Sequence, residues 1–336
     1  MASDESPAVS FEPIFAVEHD QAAALTYQTN FGVQVHSDDI ELFDPASYPA
    51  ADIIVGGPPC QGFSPLGRDR DDKSRARLNS LWEHFLEAVL TVKPLAFVIE
   101  NVPQFQRSAQ FNELRHRMAS HPELRRYEYG FGVLNAADYG VPQNRRRGIL
   151  IATRDCETAW PPRPTHGQPG LPPHRTVRSA IGNLKRRALV DEPTMRPNGT
   201  QNLHIRRNPT RMSLERYRAI PPGGNRFDLQ ARRPDITPPC WTNKPTGTTD
   251  VMGRMWWNRP SPTIRTEFFK PEKGRYLHPS EDRPITHLEA ARLQTFPDEF
   301  VFDGTKIEIA RQIGNAVPPI LGKAIASHLA EVLTDS

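Results

Sequence analysis

Cysteine and long hydrophobic runs are both scarce in this chain of 336 residues. The three cysteines, Cys60, Cys156 and Cys240, are odd in number and far apart, which argues against a disulfide framework and indicates a reducing compartment. Neither Cys156 nor Cys240 has histidines at metal-ligand spacing, so no metal site is expected. No apolar run is long enough to cross a bilayer and no signal-peptide pattern follows Met1, so we expect a cytoplasmic protein without a membrane span.

The net charge of +3 is divided unevenly along the chain. The stretch from Pro161 to Pro260 holds 18 Lys and Arg against 6 Asp and Glu, together with 16 of the 34 prolines. Such a composition is typical either of a disordered basic linker or of a loop-rich module that grips phosphate backbones. We favour the folded module, because Trp241, Met252, Met255, Trp256 and Trp257 can supply a core.

On either side of this stretch, apolar runs alternate with helical patterns. Asp20 is placed to cap a first helix that ends near Phe31, and Pro94 is placed to end the helix at 78–92. Strand–helix alternation of this kind predicts an α/β fold with a doubly wound, mostly parallel sheet. The predicted strands are 14–17, 52–55, 95–99 and 148–152, and the predicted closing helix is 320–333.

The strand at 52–55 is followed at once by Gly56-Gly57-Pro58-Pro59-Cys60-Gln61-Gly62-Phe63-Ser64. Two glycines and two prolines end the strand and fix a rigid turn, which holds Cys60 at the mouth of a sheet, where open α/β folds bind ligands. Free cysteines are most often buried and structural. Because Cys60 lies in a Pro/Gly turn followed by polar sequence, we interpret it as a nucleophile.

Polar residues recur at the ends of the predicted strands. Glu18 follows the first strand, Asp39 lies in the next connection, and Glu100 with Asn101 follows the strand at 95–99. Each one taken alone is more often a helix cap or a solvated loop residue. Their succession, together with Cys60, instead favours one site at the carboxyl edge of the sheet.

Taken together, these segments resemble the DNA (cytosine-5) methyltransferases of the restriction-modification type. The resemblance covers nearly the whole chain in the family's order, and it implies a Rossmann-like α/β domain over 1–160, a small, basic, loop-rich target-recognition domain over 161–283, and a return to the α/β domain over 284–336. In the target-recognition domain, Trp256 and Trp257 are expected in the core. The matching segments are Pro58–Ser64, Glu100-Asn101-Val102, Gln143–Arg147, Arg259–Ile264, Leu293–Pro297 and Gly314–Pro319.

The resemblance assigns roles to individual residues. Cys60 would attack carbon 6 of a cytosine flipped out of duplex DNA, Glu100 would contact the ring, and Arg145 and Arg147 would hold the base. The segment 65–77 would form a lid over the flipped base. Gln61 and Ser64 would contact the DNA. Double-stranded DNA and a cognate restriction endonuclease are the expected partners of a monomer.

The implied cofactor is S-adenosylmethionine. Glu18 would take the ribose hydroxyls, and Asp39 with Ile40 would contact the adenine. The rest of the cofactor wall would be formed by Pro58, Leu81, Asn315 and Val317.

One element of the resemblance is missing, because no strand with a Phe-x-Gly-x-Gly loop precedes Glu18. That loop wraps the methionine part of the cofactor in the family. We therefore expect this chain alone to bind S-adenosylmethionine weakly and to methylate DNA poorly. Three alternatives stay open: a catalytically impaired DNA-binding remnant, one chain of a split enzyme, and an RNA cytosine-5 methyltransferase.

Overall fold

The computed structural model describes residues 9–58, 72–184, 189–196, 198–243 and 248–334, without the side chains of 72–79. The chain divides into two compact units. Unit 1 consists of Met1–Asn135, Arg146–Arg163 and Gly322–Ser336, and unit 2 of Ala136–Arg145 and Pro164–Leu321. Within the described residues, no helix is both long and apolar enough to span a bilayer.

Strands and helices are named in chain order. The strands are β1 (Phe15–Val17), β2 (Gln34–His36), β3 (Ile53–Gly56), β4 (Ala96–Asn101), β5 (Tyr127–Asn135), β6 (Arg146–Arg154), β7 (Thr194–Met195) and β8 (Gln201–Asn202). The helices are α1 (Gln21–Phe31), α2 (Asp72–Val92), α3 (Ala109–Ser120), α4 (Val177–Ile181), α5 (Arg211–Ala219), α6 (Arg226–Arg232), α7 (Pro239–Thr242), α8 (His287–Leu293), α9 (Lys306–Asn315) and α10 (Pro319–Thr334).

Unit 1 holds the sheet strands of the predicted α/β domain. β1 pairs with β2 in parallel, and a four-stranded sheet has the order β3-β4-β6-β5. β3 and β4 are parallel, whereas β6 runs antiparallel to both β4 and β5. The α/β class is confirmed, and the antiparallel direction of β6 is a feature that strand–helix alternation did not predict.

The predicted capping residue Asp20 and the predicted helix-ending residue Pro94 explain where helices of unit 1 begin and end. The Asp20 carboxylate accepts a hydrogen bond from the Ala23 amide, so α1 begins at Gln21, and Gly32 ends it in the left-handed conformation. α2 is followed by Pro94 and then by the apolar strand β4. α2, α3, β4 and β6 share one buried core, in which Phe85 and Phe97 contact edge to face.

The strand β5 was not predicted, because glycines interrupt its alternation. A Cβ at Gly130 would lie 2.4 Å from the Trp160 side chain, and one at Gly132 would lie 2.9 Å from it. Both glycines therefore let the indole of Trp160 pack directly on the strand. Gly130 and Gly132 carry no side chain to bury, so Trp160, from outside the strand, provides the apolar contact at these two positions.

Unit 2 has its own hydrophobic cores, and the larger one corrects a predicted boundary. It joins α4, α8 and α9 through buried residues that include Ile181, Leu293 and Ile313. The sequence placed the return to the α/β domain at residue 284, but 284–321 group with unit 2 because α8 and α9 complete this core. Residues 136–145 belong to unit 2 as well.

His287 is a titratable group inside the larger core of unit 2. It is the first residue of α8, and its ring lies 5.1 Å from the ring of Phe268 and 5.8 Å from that of Phe269, centroid to centroid. Its Nε2 is 2.8 Å from the Lys306 carbonyl oxygen, so the neutral ring donates that proton. Burial lowers the pKa of His287 from 6.5 to about 4.

We therefore expect a specific acid sensitivity of unit 2. The pKa of His287 is lower in the folded than in the unfolded state, so its neutral form stabilises the fold above pH 6.5. This contribution is lost as the pH falls from 6.5 towards 4, at roughly 1.4 kcal/mol per pH unit. Urea unfolding at several pH values measures it, and His287→Gln should flatten the dependence in this window. An equal flattening by His121→Gln, at an exposed position, would contradict the assignment.

Candidate active site

Glu100 and Arg147 form a close ion pair in unit 1. The Arg147 Nε lies 2.6 Å from the Glu100 Oε1, and the two side chains are only 14% and 17% exposed. The register of β4 with β6 places Glu100 opposite Ile149, two residues from Arg147. Diagonal neighbours at this spacing lie on the same face of a sheet, so the strand register itself brings the pair together.

Asn101 holds the turn that follows β3. Its Nδ2 donates to the Pro58 carbonyl at 3.0 Å, and its Oδ1 accepts from the Val102 amide at 2.8 Å. Pro58 is thereby fixed two residues before Cys60 in the chain. Cys60 itself, with Gln61, Ser64 and residues 65–71 of the predicted lid, lies outside the described residues, so these assignments stay predictions. Residues 72–77 of the predicted lid form the start of α2.

The two glycines before Pro58 allow close packing on both sides of the turn. A Cβ at Gly56 would lie 2.4 Å from the Phe85 ring, so this ring packs directly on the end of β3. A Cβ at Gly57 would lie 3.3 Å from the Glu100 Oε2, so the backbone of the turn passes beside the carboxylate. Gly57 and Asn101 together place the start of the Cys60 loop next to the Glu100–Arg147 pair.

The predicted cofactor residues of β1 and β2 share one edge of their sheet. β1 and β2 run in parallel with Val17 opposite His36, and the Glu18 amide continues the ladder to the His36 carbonyl at 3.0 Å. The Glu18 carboxylate is 40% exposed, and its Oε1 accepts from the Asp20 amide at 2.9 Å. Asp39 caps the helical turn that begins at Ile40 and accepts from the Glu41 amide at 3.2 Å.

The remaining predicted cofactor residues lie in separate parts of the chain. Leu81 is half-buried on α2, and Pro58 is half-buried at the end of β3. Asn315 is the exposed last residue of α9 in unit 2, and Val317 is half-buried in the link to α10. Contacts within unit 1 therefore bring Pro58 and the Glu100–Arg147 pair together at one turn.

Comparison with known proteins identifies the chain. Residues 5–331 match the model of the C-5 cytosine-specific DNA methylase family. The chain belongs to this family. It is 32% identical to the type II methyltransferase M1.HphI of Haemophilus parahaemolyticus over 97% of its own length and 82% of that protein, and 29% identical to M.AgeI of Thalassovita gelatinovora over 95% and 94%.

Solved structures agree with this assignment. A prophage-encoded DNA modification methyltransferase of Escherichia coli superposes with a TM-score of 0.72 at 25% identity, covering 97% of this chain and 94% of that one. The Dnmt2 methyltransferase of Schizosaccharomyces pombe shares the fold, with a TM-score of 0.63 at 15% identity. The predicted family, Rossmann-like fold and enzyme class, a DNA cytosine-5 methyltransferase of the restriction-modification type, are confirmed.

Arg145 of this methylase is a buried structural cation in unit 2. Its side chain is wholly buried, its Nη1 donates to the Ile264 carbonyl at 2.9 Å, and its Nη2 donates to the Gly314 carbonyl at 2.9 Å. The sequence predicted that Arg145, like Arg147, holds the base. In the structure this guanidinium donates to backbone carbonyls, so Arg145 positions the chain around it, and its contact with the base stays a prediction.

Two glutamines extend this buried network. The Gln143 Nε2 donates to the Gln294 Oε1 at 2.8 Å, its Oε1 accepts from the Ile264 amide at 2.9 Å, and Gln294 donates to the Ile313 carbonyl. A parallel bridge between Gln143 and Ser261 lies beside them. Segments that are far apart in the sequence are thus joined by side chains that satisfy buried backbone groups.

Gly314 completes the same junction. A Cβ there would lie 2.4 Å from the Thr266 amide nitrogen, so only glycine lets the end of α9 approach the 265–266 backbone this closely. The Asn315 carbonyl also accepts from Arg145, at 3.4 Å. The predicted cofactor residues Asn315 and Val317 therefore lie at the end of α9, which Arg145 and Gly314 fix.

The sequence motifs include Asn101, Gln143 and Gln294, but no role was predicted for these three residues. Asn101 carries a signal that was available, since it is an amide at the end of an otherwise apolar strand. Gln143 and Gln294 lie in segments that match the family, but nothing in either segment indicated a buried role, since a glutamine taken alone is usually solvated. Their roles depend on contacts between segments 151 residues apart.

Replacing Arg145 should affect stability more than substrate binding. Arg145→Lys removes the fork that reaches two carbonyls and leaves buried acceptors unpaired, which should lower the free energy of unfolding by roughly 2–3 kcal/mol. Chemical denaturation measures the change, and Arg146→Lys, at the neighbouring exposed position, is the matched control. If Arg145→Lys left the stability unchanged and lowered the affinity for DNA, the result would instead support the predicted contact of Arg145 with the base.

Replacing Asn101 should affect turnover. Asn101→Ala frees the Pro58 carbonyl and lets the Cys60 loop shift, and a misplacement of about 1 Å lowers the rate by roughly a hundredfold. We expect kcat to fall with little change in the KM for DNA, in steady-state assays on protein shown to be folded by circular dichroism. Asn112→Ala, at an exposed position of α3, should match the wild type. A variant that raised KM alone would exclude the positioning role.

Proposed function

We propose that this chain methylates carbon 5 of a flipped-out cytosine in duplex DNA through a covalent bond to Cys60, with S-adenosylmethionine as donor. The observation that carries the proposal is the turn after β3. Asn101 holds the Pro58 carbonyl at 3.0 Å, and the Glu100–Arg147 pair lies beside the same turn. The described residues thus place Pro58, two positions before Cys60, next to a carboxylate and a guanidinium, which supports the proposed base chemistry.

Cys60 would act as the nucleophile. Carbon 5 of cytosine is a weak nucleophile, so the Cys60 thiolate first adds to carbon 6, and the electrons of the 5,6 double bond move to carbon 5. Carbon 5 would then take a methyl group from the sulfonium, whose methyl–sulfur bond breaks and leaves a neutral thioether. A base removes the proton from carbon 5, the bond to Cys60 breaks, and the double bond re-forms with the thiolate as leaving group.

Glu100 would orient the cytosine ring while Cys60 adds. A carboxylate can accept a hydrogen bond from the exocyclic amine of cytosine and, when protonated, can donate to ring nitrogen 3. The Arg147 guanidinium holds one Glu100 oxygen at 2.6 Å, and the other oxygen faces the turn at Gly57. Arg147 therefore fixes the direction of the carboxylate and supplies positive charge beside the ring.

The residues of β1 and β2 fit the nucleoside part of the cofactor. Glu18 is a partly exposed carboxylate at the carboxyl edge of a parallel pair, and such a group suits the two hydroxyls of a ribose. Asp39 and Ile40 begin the turn after β2, where they would contact the adenine, and Pro58, Leu81, Asn315 and Val317 would line the rest. When bound, the cofactor supplies an electrophilic methyl group on a sulfonium.

Unit 2 would recognise the target sequence. The stretch from Pro161 to Pro260, which lies in unit 2 from Pro164 onward, carries 18 Lys and Arg against 6 Asp and Glu, and the described residues of unit 2 form hydrophobic cores of their own. Positive charge of this kind attracts the phosphate backbone irrespective of sequence, and base-edge contacts then discriminate.

Trapping tests the covalent step. With S-adenosylmethionine and plasmid DNA in which 5-fluorocytosine replaces cytosine, the fluorine cannot leave as a proton, so the adduct should accumulate on the wild type. Cys60→Ser should form none, whereas Cys156→Ser should behave as the wild type. Glu100→Gln should slow methylation of ordinary DNA by roughly a hundred- to ten-thousandfold. An adduct on Cys60→Ser would refute the assignment of the nucleophile.

A further inference from the structure

Trp256 is not used as a core residue, although the sequence predicted that it would be. Trp257 packs half-buried against the larger core of unit 2, as expected. Trp256 instead lines a cavity and is contacted over its ring by two arginines. The Arg275 Cζ lies 3.9 Å from the centroid of the Trp256 ring, and the Arg259 Cζ lies 5.0 Å from it.

The two arginines differ in whether the guanidinium group can reach a ligand. Arg275 is buried, its Nη1 donates to the carbonyls of Gly223 and Arg254 at 2.8 Å each, and its Nε donates to Asp250 at 3.2 Å. Burial lowers the pKa of Arg275. Its guanidinium is therefore a fixed support for the indole, not a contact for a ligand.

Arg259 is exposed, and among the described residues its guanidinium has no acidic partner within 4 Å. Its guanidinium lies over the ring of Trp256. An arginine held on an aromatic face keeps its planar donors directed outward and has less rotamer freedom to lose on binding. Arg259 is thus a pre-oriented cation beside a cavity.

The cavity has the size and charge for an anionic group. Its volume is about 740 Å³, and it is lined by residues of unit 2 that include Asn144, Arg259, Arg265 and Tyr276. Arg265 donates to the Tyr276 hydroxyl at 3.1 Å. Asp250 is the one acidic residue of the described lining, and it is paired with Arg275, so the arginines leave an excess of positive charge.

We propose that this cavity is a subsite for a phosphodiester of the DNA backbone, with Arg259 as the residue that pairs with it. The proposal rests on the proposed action on DNA. S-Adenosylmethionine carries no phosphate, so the backbone of the substrate is the phosphate source for this enzyme. Asn144 contributes to the cavity from the segment 136–145 of unit 2.

Salt dependence tests the subsite directly. The affinity of the full chain for a fluorescein-labelled duplex of mixed sequence is measured by anisotropy across a range of NaCl concentrations. Arg259→Gln should reduce the slope of log K against log salt by about 0.9, the value for one phosphate, and should weaken binding roughly tenfold at about 0.1 M salt. Arg259→Lys keeps the charge and should retain the slope.

Arg211→Gln is the matched control. Arg211 is also in unit 2 and is 95% exposed, but it is paired with Glu215 at 3.2 Å, and its loss changes the net charge by the same amount. Its slope should equal that of the wild type. The subsite is refuted if Arg259→Gln and Arg211→Gln change the slope equally, or if Arg259→Gln changes nothing.

The failure of the subsite and that of the proposed function give different results. Incorporation of labelled methyl groups into DNA is measured on the same wild-type preparation. If the wild type methylates DNA and the salt slopes of Arg259→Gln and Arg211→Gln are alike, the subsite alone is refuted. A wild type that transfers no methyl group even at saturating S-adenosylmethionine and long incubation, where a slow enzyme would still label DNA, but whose slope depends on Arg259, refutes the proposed reaction and leaves the phosphate site standing.

Discussion

The wholly buried guanidinium of Arg145 constrains much of unit 2. Transfer of a charge out of water is costly, and here carbonyls that include those of Ile264 and Gly314 compensate for it. Gly314 lies in the last turn of α9, where the helix dipole favours a cation. None of these carbonyls can move without leaving the charge unsatisfied. The chain that enters β6, two residues before Arg147, is fixed by the same bonds.

Unit 1 positions its turn by the same physical rule on a smaller scale. The Pro58 carbonyl lies past the end of β3, where the strand ladder no longer provides a donor, and the Asn101 amide supplies one at 3.0 Å. A polar side chain at the end of β4 therefore replaces one rung of the sheet. Because Glu100 precedes Asn101 directly, the same two residues fix the turn and present the carboxylate.

Local signals in the sequence predicted much of unit 1, and non-local contacts account for the rest. The cap at Asp20 was sufficient to predict where α1 begins, and an apolar run was sufficient to predict β4. β5 depends on a contact with Trp160, about thirty positions after Gly130, so the sequence next to Gly130 could not predict it. The sequence treated Arg145 and Arg147 alike, because they are the same residue type two positions apart. The ladder of β6 begins between them, at Arg146, so one faces carbonyls and the other faces Glu100.

The bridge between Gln143 and Ser261 has a consequence for variation within such enzymes. The Asn144 amide donates to the Ser261 carbonyl at 2.8 Å, and the Ser261 amide donates to the Pro142 carbonyl at 2.9 Å, so the chain between them is a loop closed at its base. The entropy of closing a loop grows only with the logarithm of its length, and a doubling costs about 0.6 kcal/mol. β6 and Arg147 lie inside this closed segment and belong to the sheet and the ion pair of unit 1, so it is the surface connections of the segment that can be lengthened at this small entropic cost.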